Sequence, residues 1–234
     1  MSDTTTGIGS LAVGRITEGP AVTLAEKTIQ FVADEMVSWR DDPERPHEDA
    51  EERLNAQLCK FLNVAASDHF PMVLFGHEEK QTGARRVDFA ANPSLGMSIG
   101  KTYHSIYNPF IAFEGKRLPA PSKDREQEYV TGGQKKSGGI QRFKLGLHGA
   151  HQERAAIVAY IQSGFPGGWL TQVNAWIDEE VATPSASGEP WTPHDKLTDF
   201  IEDSAKRTGQ ASSQHIRENS ISEKILIKHL WIVM

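Results

Sequence analysis

The chain has 234 residues, a net charge of −6, 38% hydrophobic and 24% charged residues, and a single cysteine. This length allows one domain with a substantial core, and the composition is that of a globular protein. One cysteine excludes an internal disulfide, and no apolar stretch approaches the roughly 20 residues that a membrane helix needs. With no basic and then apolar leader at the start, we expect a cytoplasmic protein without membrane contact.

Residues 1–20 are small, polar and glycine-rich, and we expect a loose tail followed by a single domain over 21–234. The first half of this domain should hold two helices and three strands. Apolar residues at helical spacing indicate the helices, and short apolar runs between turn residues indicate the strands. In chain order these are helices over 23–40 and 47–66 and strands over 72–75, 86–91 and 108–118.

The second half alternates helices and strands. Its continuous apolar run over 155–161 is typical of a strand that is covered on both faces. The predicted elements are helices over 123–130 and 140–146, the strand over 155–161, helices over 168–182 and 194–207, and strands over 211–217 and 224–233. This order predicts an α/β fold with a central mixed sheet flanked by helices. Trp191 lies in a proline-rich loop and is expected to be exposed.

The strand over 108–118 carries an acid and an amine two residues apart. Side chains at i and i+2 of a strand point to the same face, so Glu114 and Lys116 should lie side by side. Phe110 and Ala112 should follow on that face. A surface ion pair at the end of a strand is the simpler interpretation of the same pattern.

A second acid, Asp88, emerges from the neighbouring short strand. Two carboxylates close together repel each other unless a cation lies between them. Asp88 and Glu114 therefore predict a site for Mg²⁺, or for Mn²⁺ in its place. Lys116 beside such a metal could orient or deprotonate a water, or hold a phosphate.

A third acid is expected from the helix over 47–66. Glu51 precedes Leu54 by three residues and Leu58 by seven, which places it on the buried face of that helix. Glu48 is the reserve. The alternative is that Glu51 is a solvated acid favoured by the helix dipole.

A local basic segment follows the strand. Residues 115–145 hold eight basic and three acidic side chains, although the whole chain is acidic. A local patch matters more for phosphate binding than the total charge. Lys135 and Lys136 lie in a glycine-flanked loop that suits contact with a nucleic-acid backbone, or that merely keeps the chain soluble.

The order of these motifs resembles that of the PD-(D/E)xK nuclease superfamily, to which many restriction endonucleases belong. Val87 stands where the family signature has proline. The similar residues are Glu51, Val87-Asp88, Glu114-Gly115-Lys116, Glu128-Tyr-Val130 and Gly139-Ile-Gln-Arg-Phe143, followed by the strand over 155–161.

The resemblance implies a restriction-endonuclease-like fold and Mg²⁺-dependent cleavage of DNA, as in members found in bacterial defence loci. It implies that Asp88, Glu114 and Glu51 bind the metal and that Lys116 is catalytic. The predicted nucleic-acid contacts are Arg117, Lys135, Lys136, Gln141 and Arg142, with Arg142 as a buried ion-pair partner the alternative.

Other interpretations remain open. An acidic nuclease would bind DNA weakly alone, so we expect a homodimer or a component of a larger defence complex. The alternatives are a catalytically silent scaffold that binds nucleic acid or a protein, and a nuclease that acts on RNA. His148 and His151 lack the glutamate and the spacing of a zinc protease. Cys59 is interpreted as a core residue.

Overall fold

The computed structural model describes residues 20–81, 85–99, 102–183, 190–217 and 220–234, with the backbone alone for 20–23. The predicted tail lies outside the described residues except for Pro20, where the first helix begins. The helices are α1 (Pro20–Asp41), α2 (Glu51–His69), α3 (Gly139–Lys144) and α4 (Pro166–Ala182). Shorter 3₁₀ segments lie at Lys123–Tyr129, Gly133–Lys135 and Pro193–Asp195. The strands are β1 (Val73–Lys80), β2 (Arg86–Pro93), β3 (Met97–Ile99), β4 (Thr102–His104), β5 (Ile111–Leu118), β6 (Arg154–Ile161), β7 (Thr198–Asp203), β8 (Thr208–Ile216) and β9 (Lys224–Val233).

Seven of these strands form one mixed sheet in the order β1-β2-β5-β6-β9-β8-β7. The central strands β5, β6 and β9 are parallel, and the outer strands on both sides pair antiparallel. Strands β3 and β4 form a separate hairpin. The predicted α/β fold with a central mixed sheet and flanking helices is confirmed.

The sheet separates two hydrophobic cores. Helices α1 and α2 cover one face and build the first core, whereas α3, α4 and the 3₁₀ segment Lys123–Tyr129 cover the other and build the second core. Strand β6 explains the apolar run in the sequence, because its side chains alternate between the two cores and all are buried from Ala155 to Ile161. None of the helices in the described ranges is long and apolar enough to cross a bilayer.

Three expectations about secondary structure and side-chain burial were wrong. The acidic helix predicted over 194–207 is instead the 3₁₀ turn Pro193–Asp195 followed by edge strand β7, whose Phe200 packs on the second core while Ile201 is 70% exposed. Trp191 is 6% exposed and packs edge-on against His215. Phe110 joins the first core, opposite Ala112, because β5 begins only at residue 111 and the alternation does not extend to Phe110.

Candidate active site

Strand β5 carries the centre of the site. Glu114 and Lys116 point to the same face of the sheet as Ala112, and the Lys116 Nζ donates to Glu114 Oε1 at 2.9 Å. The exposed fraction of Glu114 is 0% and that of Lys116 is 6%. The two side chains therefore form a buried ion pair, not the surface pair of the simpler interpretation.

Asp88 joins this pair at the point where β2 and β5 separate. The two strands pair only from Phe89 to Ala91 on β2 and from Ile111 to Phe113 on β5. Beyond Phe113, the backbone N–H of Gly115 donates to Asp88 Oδ2 at 2.7 Å instead of to a backbone carbonyl. The carboxylate of Asp88 thus replaces a lost strand partner and is held beside Glu114.

Glu51 reaches the same strand from the first residue of α2. Its Oε2 accepts from the backbone N–H of Arg117 at 2.8 Å, and its Oε1 lies 3.3 Å from the Nζ of Lys116. The reserve candidate Glu48 lies before the helix and binds Arg53 at 3.1 Å. Of the two acids, Glu51 is the one that the structure brings to Lys116.

The close approach of α2 to β5 depends on Gly115. A Cβ atom at this position would lie 1.9 Å from the Oδ1 of Asn55, one turn after Glu51 in α2. Asn55 is 1% exposed and cannot move freely, because its Oδ1 accepts from the hydroxyl of Tyr160 at 2.8 Å. Glycine therefore sets the spacing that allows Glu51 to reach Lys116.

Two further cationic or basic groups approach Glu114 from α3 and the following loop. Arg142 Nη1 donates to Glu114 Oε1 at 2.5 Å. His148 is 1% exposed, and its Nδ1 lies 3.1 Å from Glu114 Oε2, within ion-pair range but without hydrogen-bond alignment. Sequence reasoning considered His148 only with His151 as a metal motif and missed it here, because nothing in a loop sequence shows burial.

These contacts shift the proton affinities of the three central groups. Burial alone would raise the pKa of Glu114, but Lys116, His148 and Arg142 outweigh it and hold that pKa far below its usual range. Burial would lower the pKa of Lys116, but Glu114, Glu51 and Asp88 raise it. Lys116 is therefore a cation at neutral pH.

Asp88 is shifted the other way. Its burial and, next, the negative charge of Glu114 raise its pKa to about 7, although Lys116 and the Gly115 N–H oppose the shift. A carboxylate with such a pKa lacks a compensating cation of its own. Asp88 is thus the group in this site that would gain most from a bound cation.

The predicted nucleic-acid contacts are placed differently from one another. Lys135 is exposed and Lys136 half-buried in a left-handed turn after the 3₁₀ segment Gly133–Lys135. Arg117 is half-buried, with its Nε enclosed and unpaired. Gln141 is fully buried, accepting from the N–H groups of Gly132 and Gly138, so it holds the glycine-rich loop against α3. Arg142 binds Glu114, as its alternative interpretation expected.

Asp88, Glu114 and Glu51 supply carboxylate oxygens, which are the ligands that a hard cation such as Mg²⁺ prefers. Glu114 Oε2 is buried beside His148 Nδ1 at 3.1 Å, so a ligand at this oxygen would have to displace His148. However, within the described residues no group of three or more His, Cys, Asp or Glu side chains is arranged to hold a metal ion. Lys116 and Arg142 take the place of a cation at Glu114 Oε1.

A second cluster of buried polar groups lies between β8, β9 and the neighbouring 3₁₀ segments. Hydrogen bonds of 2.7–2.8 Å join six side chains in the order Trp231, Tyr129, His229, Ser213, His215 and Asp195. The last three have the order of a hydrolase triad. Ser213 is 1% exposed, however, and no substrate can reach it.

The donors of this chain follow one direction. An indole can only donate, so the hydroxyl of Tyr129 accepts from Trp231 and can itself donate to His229 Nδ1. His229 then donates from Nε2 to Ser213, and the serine donates to His215 Nε2, whose Nδ1–H binds the aspartate. Both histidines are neutral in this arrangement. Burial, as the largest cause, lowers the pKa of both, and for His229 strongly.

Comparisons of the chain with protein-family models, with curated proteins and with solved structures find no match. The resemblance to the PD-(D/E)xK superfamily therefore depends on the motif residues alone, and the function has to be argued from the geometry of the site.

Proposed function

We propose that the chain is a metal-dependent endonuclease of the PD-(D/E)xK type that hydrolyses phosphodiester bonds of DNA. The observation that supports this proposal is the convergence of Asp88, Glu114 and Lys116 at the point where β2 and β5 separate. Two carboxylates and a cation at one point match the needs of phosphodiester hydrolysis, in which a water is activated beside a phosphate that gains charge.

Each residue has a distinct role in the proposal. Asp88 and Glu114 would hold Mg²⁺ or Mn²⁺, with Glu51 as the outer acid. The bound metal would lower the pKa of a water and offset charge on the phosphate. Lys116, as a cation, holds the scissile phosphate or orients the water rather than removing its proton. Arg142 supplies a second positive charge beside Glu114.

A catalytically silent scaffold is the second candidate. It is favoured by the ion pairs of Glu114 with Lys116 and Arg142, which neutralise this carboxylate without any metal. Cleavage of RNA is a third possibility, because RNA presents the same phosphate. DNA as partner, a homodimer or a larger defence complex, and a cytoplasmic location also remain proposals.

The test is a cleavage assay with the full chain on plasmid DNA, single-stranded DNA and RNA, in Mg²⁺, in Mn²⁺ and in EDTA. Asp88→Asn is the informative variant. An asparagine keeps an oxygen for the Gly115 N–H and removes the charge that repels Glu114. We expect this variant to lose at least about 10²-fold in cleavage rate while melting at the same temperature or higher.

Glu48→Gln is the matched control, because Glu48 is an acid near the start of α2 that binds Arg53 and nearby backbone instead of Lys116. It should cut like the natural chain. Mg²⁺ should also raise the melting temperature of the natural chain by mass action and leave that of Asp88→Asn unchanged. Normal cutting by Asp88→Asn would refute the site, and neither cutting nor metal stabilisation in the natural chain would favour the scaffold.

A further inference from the structure

A pocket of about 390 Å³ opens past the end of β5, the strand that carries Glu114 and Lys116. Pro119 and Ala120, which follow β5, form one side of it, and Ser163 and Gly164, which follow β6, form another. It lies at the carboxyl ends of two parallel strands, where open α/β sheets bind their ligands. Its volume falls within the range of small-molecule sites.

The walls of the pocket are aromatic. Trp169 and Trp176 of α4 lie with ring centroids 6.2 Å apart, and Trp169 is fixed by a hydrogen bond from its Nε1 to the Ser163 carbonyl at 2.9 Å. Phe165, just before α4, is 61% exposed. A Cβ at Gly168 would lie 3.3 Å from the Phe165 ring, so the missing side chain lets this ring lie against the helix. Phe165 is the ring that lies open to solvent, whereas Trp169 is half-buried and Trp176 is 7% exposed, so Phe165 provides the stacking surface.

The polar groups at the pocket define the kind of ring that fits. Glu126, Gln172 and Ser163 are the lining side chains with an oxygen that can accept from an N–H edge. Among the described residues, no Lys or Arg lines the pocket, so it is unsuited to a phosphate. A flat, uncharged ring with N–H donors at its rim matches both the walls and the edge, and this is the chemistry of a nucleobase.

The pocket and the candidate active site share a strand and a face. Trp176 packs in the second core, on the side of the sheet to which Glu114 and Lys116 point. Pro119 lies three residues after Lys116, which is about 10 Å along an extended strand. This distance corresponds to the length of one or two nucleotides along a nucleic-acid strand.

We propose that this pocket binds an unpaired nucleobase next to the phosphate that Lys116 holds. The position of the phosphate rests on the proposed function, whereas the affinity of the pocket for a base does not. The pocket would select substrates with an unpaired base beside the cleaved bond, such as single strands, ends or mismatches.

The experiment uses nucleosides, which have no phosphate, so the result is independent of metal and cleavage. Saturation-transfer NMR with adenosine, guanosine, cytidine and thymidine should show binding to the full chain and to Asp88→Asn. Phe165→Ala should weaken it about five-fold to a hundred-fold, the effect of losing one stacked ring. Tyr107→Ala is the matched control, because Tyr107 is an 82% exposed aromatic outside the pocket, and it should change nothing.

Trp169→Phe keeps a stacking ring and should bind nucleosides nearly as the natural chain does, which separates stacking from unfolding. The proposal would be overturned if no nucleoside gave a saturation-transfer signal, or if Phe165→Ala bound nucleosides as tightly as the natural chain. Equal binding of an apolar probe such as toluene would also overturn it. Nucleoside binding without any cleavage would support the base-binding pocket and refute the proposed nuclease activity. Cleavage without nucleoside binding would support the nuclease activity and refute the base-binding pocket.

Discussion

Replacement of Gly115 by alanine is the sharpest test of how the fold builds its candidate site. The new methyl group would lie 1.9 Å from the Oδ1 of Asn55 and 2.5 Å from its Cγ, far inside contact distance. Either α2 moves away from β5 or Asn55 rotates and loses the hydroxyl of Tyr160. Both responses disturb a buried region, since Asn55 is 1% and Tyr160 0% exposed.

The expected cost follows from three contributions. Overpacking of a buried site costs roughly 1–3 kcal/mol. The lost Asn55–Tyr160 hydrogen bond adds about 1 kcal/mol. Replacing glycine restricts the unfolded chain, which stabilises the folded state by about 0.5–1 kcal/mol. The net loss in free energy of unfolding is about 2 kcal/mol, or a fall in melting temperature of about 4–8 °C for a chain of this size.

The assay is urea denaturation of four chains: the natural one, Gly115→Ala, Asn55→Ala and the double variant. Asn55→Ala alone leaves the Tyr160 hydroxyl without its partner and should cost about 1–3 kcal/mol. It also removes the obstacle, so Gly115→Ala should cost less than about 0.5 kcal/mol in that background. Gly168→Ala is a control, because the three atoms nearest to its methyl group belong to the exposed ring of Phe165. An equal cost of Gly115→Ala in both backgrounds would refute the packing argument.

Two further predictions concern proton binding and the outer acid. The first is made in the Asp88→Asn variant, because the raised pKa of Asp88 would itself favour folding at lower pH and mask the effect. In this variant the free energy of unfolding should fall as the pH drops below about 6.5. His215 and His229 are neutral when folded but bind protons when unfolded, so each can remove up to about 1.4 kcal/mol per pH unit; a flat urea-denaturation profile from pH 7.5 to 5.5 would contradict their neutrality. Glu51→Gln keeps an oxygen for the β5 amide and should leave the melting temperature nearly unchanged, whereas Glu51→Ala should cost about 1 kcal/mol. Equal melting temperatures for both variants would show that this hydrogen bond contributes nothing.

The parts of the site that obey a simple period could be predicted from the sequence. The two-residue alternation of a strand placed Glu114 and Lys116 together, and the helical period placed Glu51 on the inner face of α2. The same rule failed at Phe110, one residue before β5 begins. Periodicity thus predicts which side chains share a face but not the residue at which the element starts.

Contacts that depend on folding across the chain could not be predicted in this way. The burial of His148 beside Glu114 and of Trp191 beside His215 arises where loops return to the sheet, and loop residues carry no period. The segment that forms β7 was predicted as part of an acidic helix over 194–207. Pairing with β8 decided its conformation instead.

The separation of β2 from β5 has a consequence for how relatives of this chain should be judged. Asp88 and Glu51 satisfy two backbone amides that the divergence leaves without strand partners. A descendant that had lost all chemistry would still need an acceptor at both places, and asparagine or glutamine would serve equally well. An oxygen-bearing side chain at these positions is therefore explained by folding alone, and only a retained carboxylate would count in favour of the proposed nuclease activity.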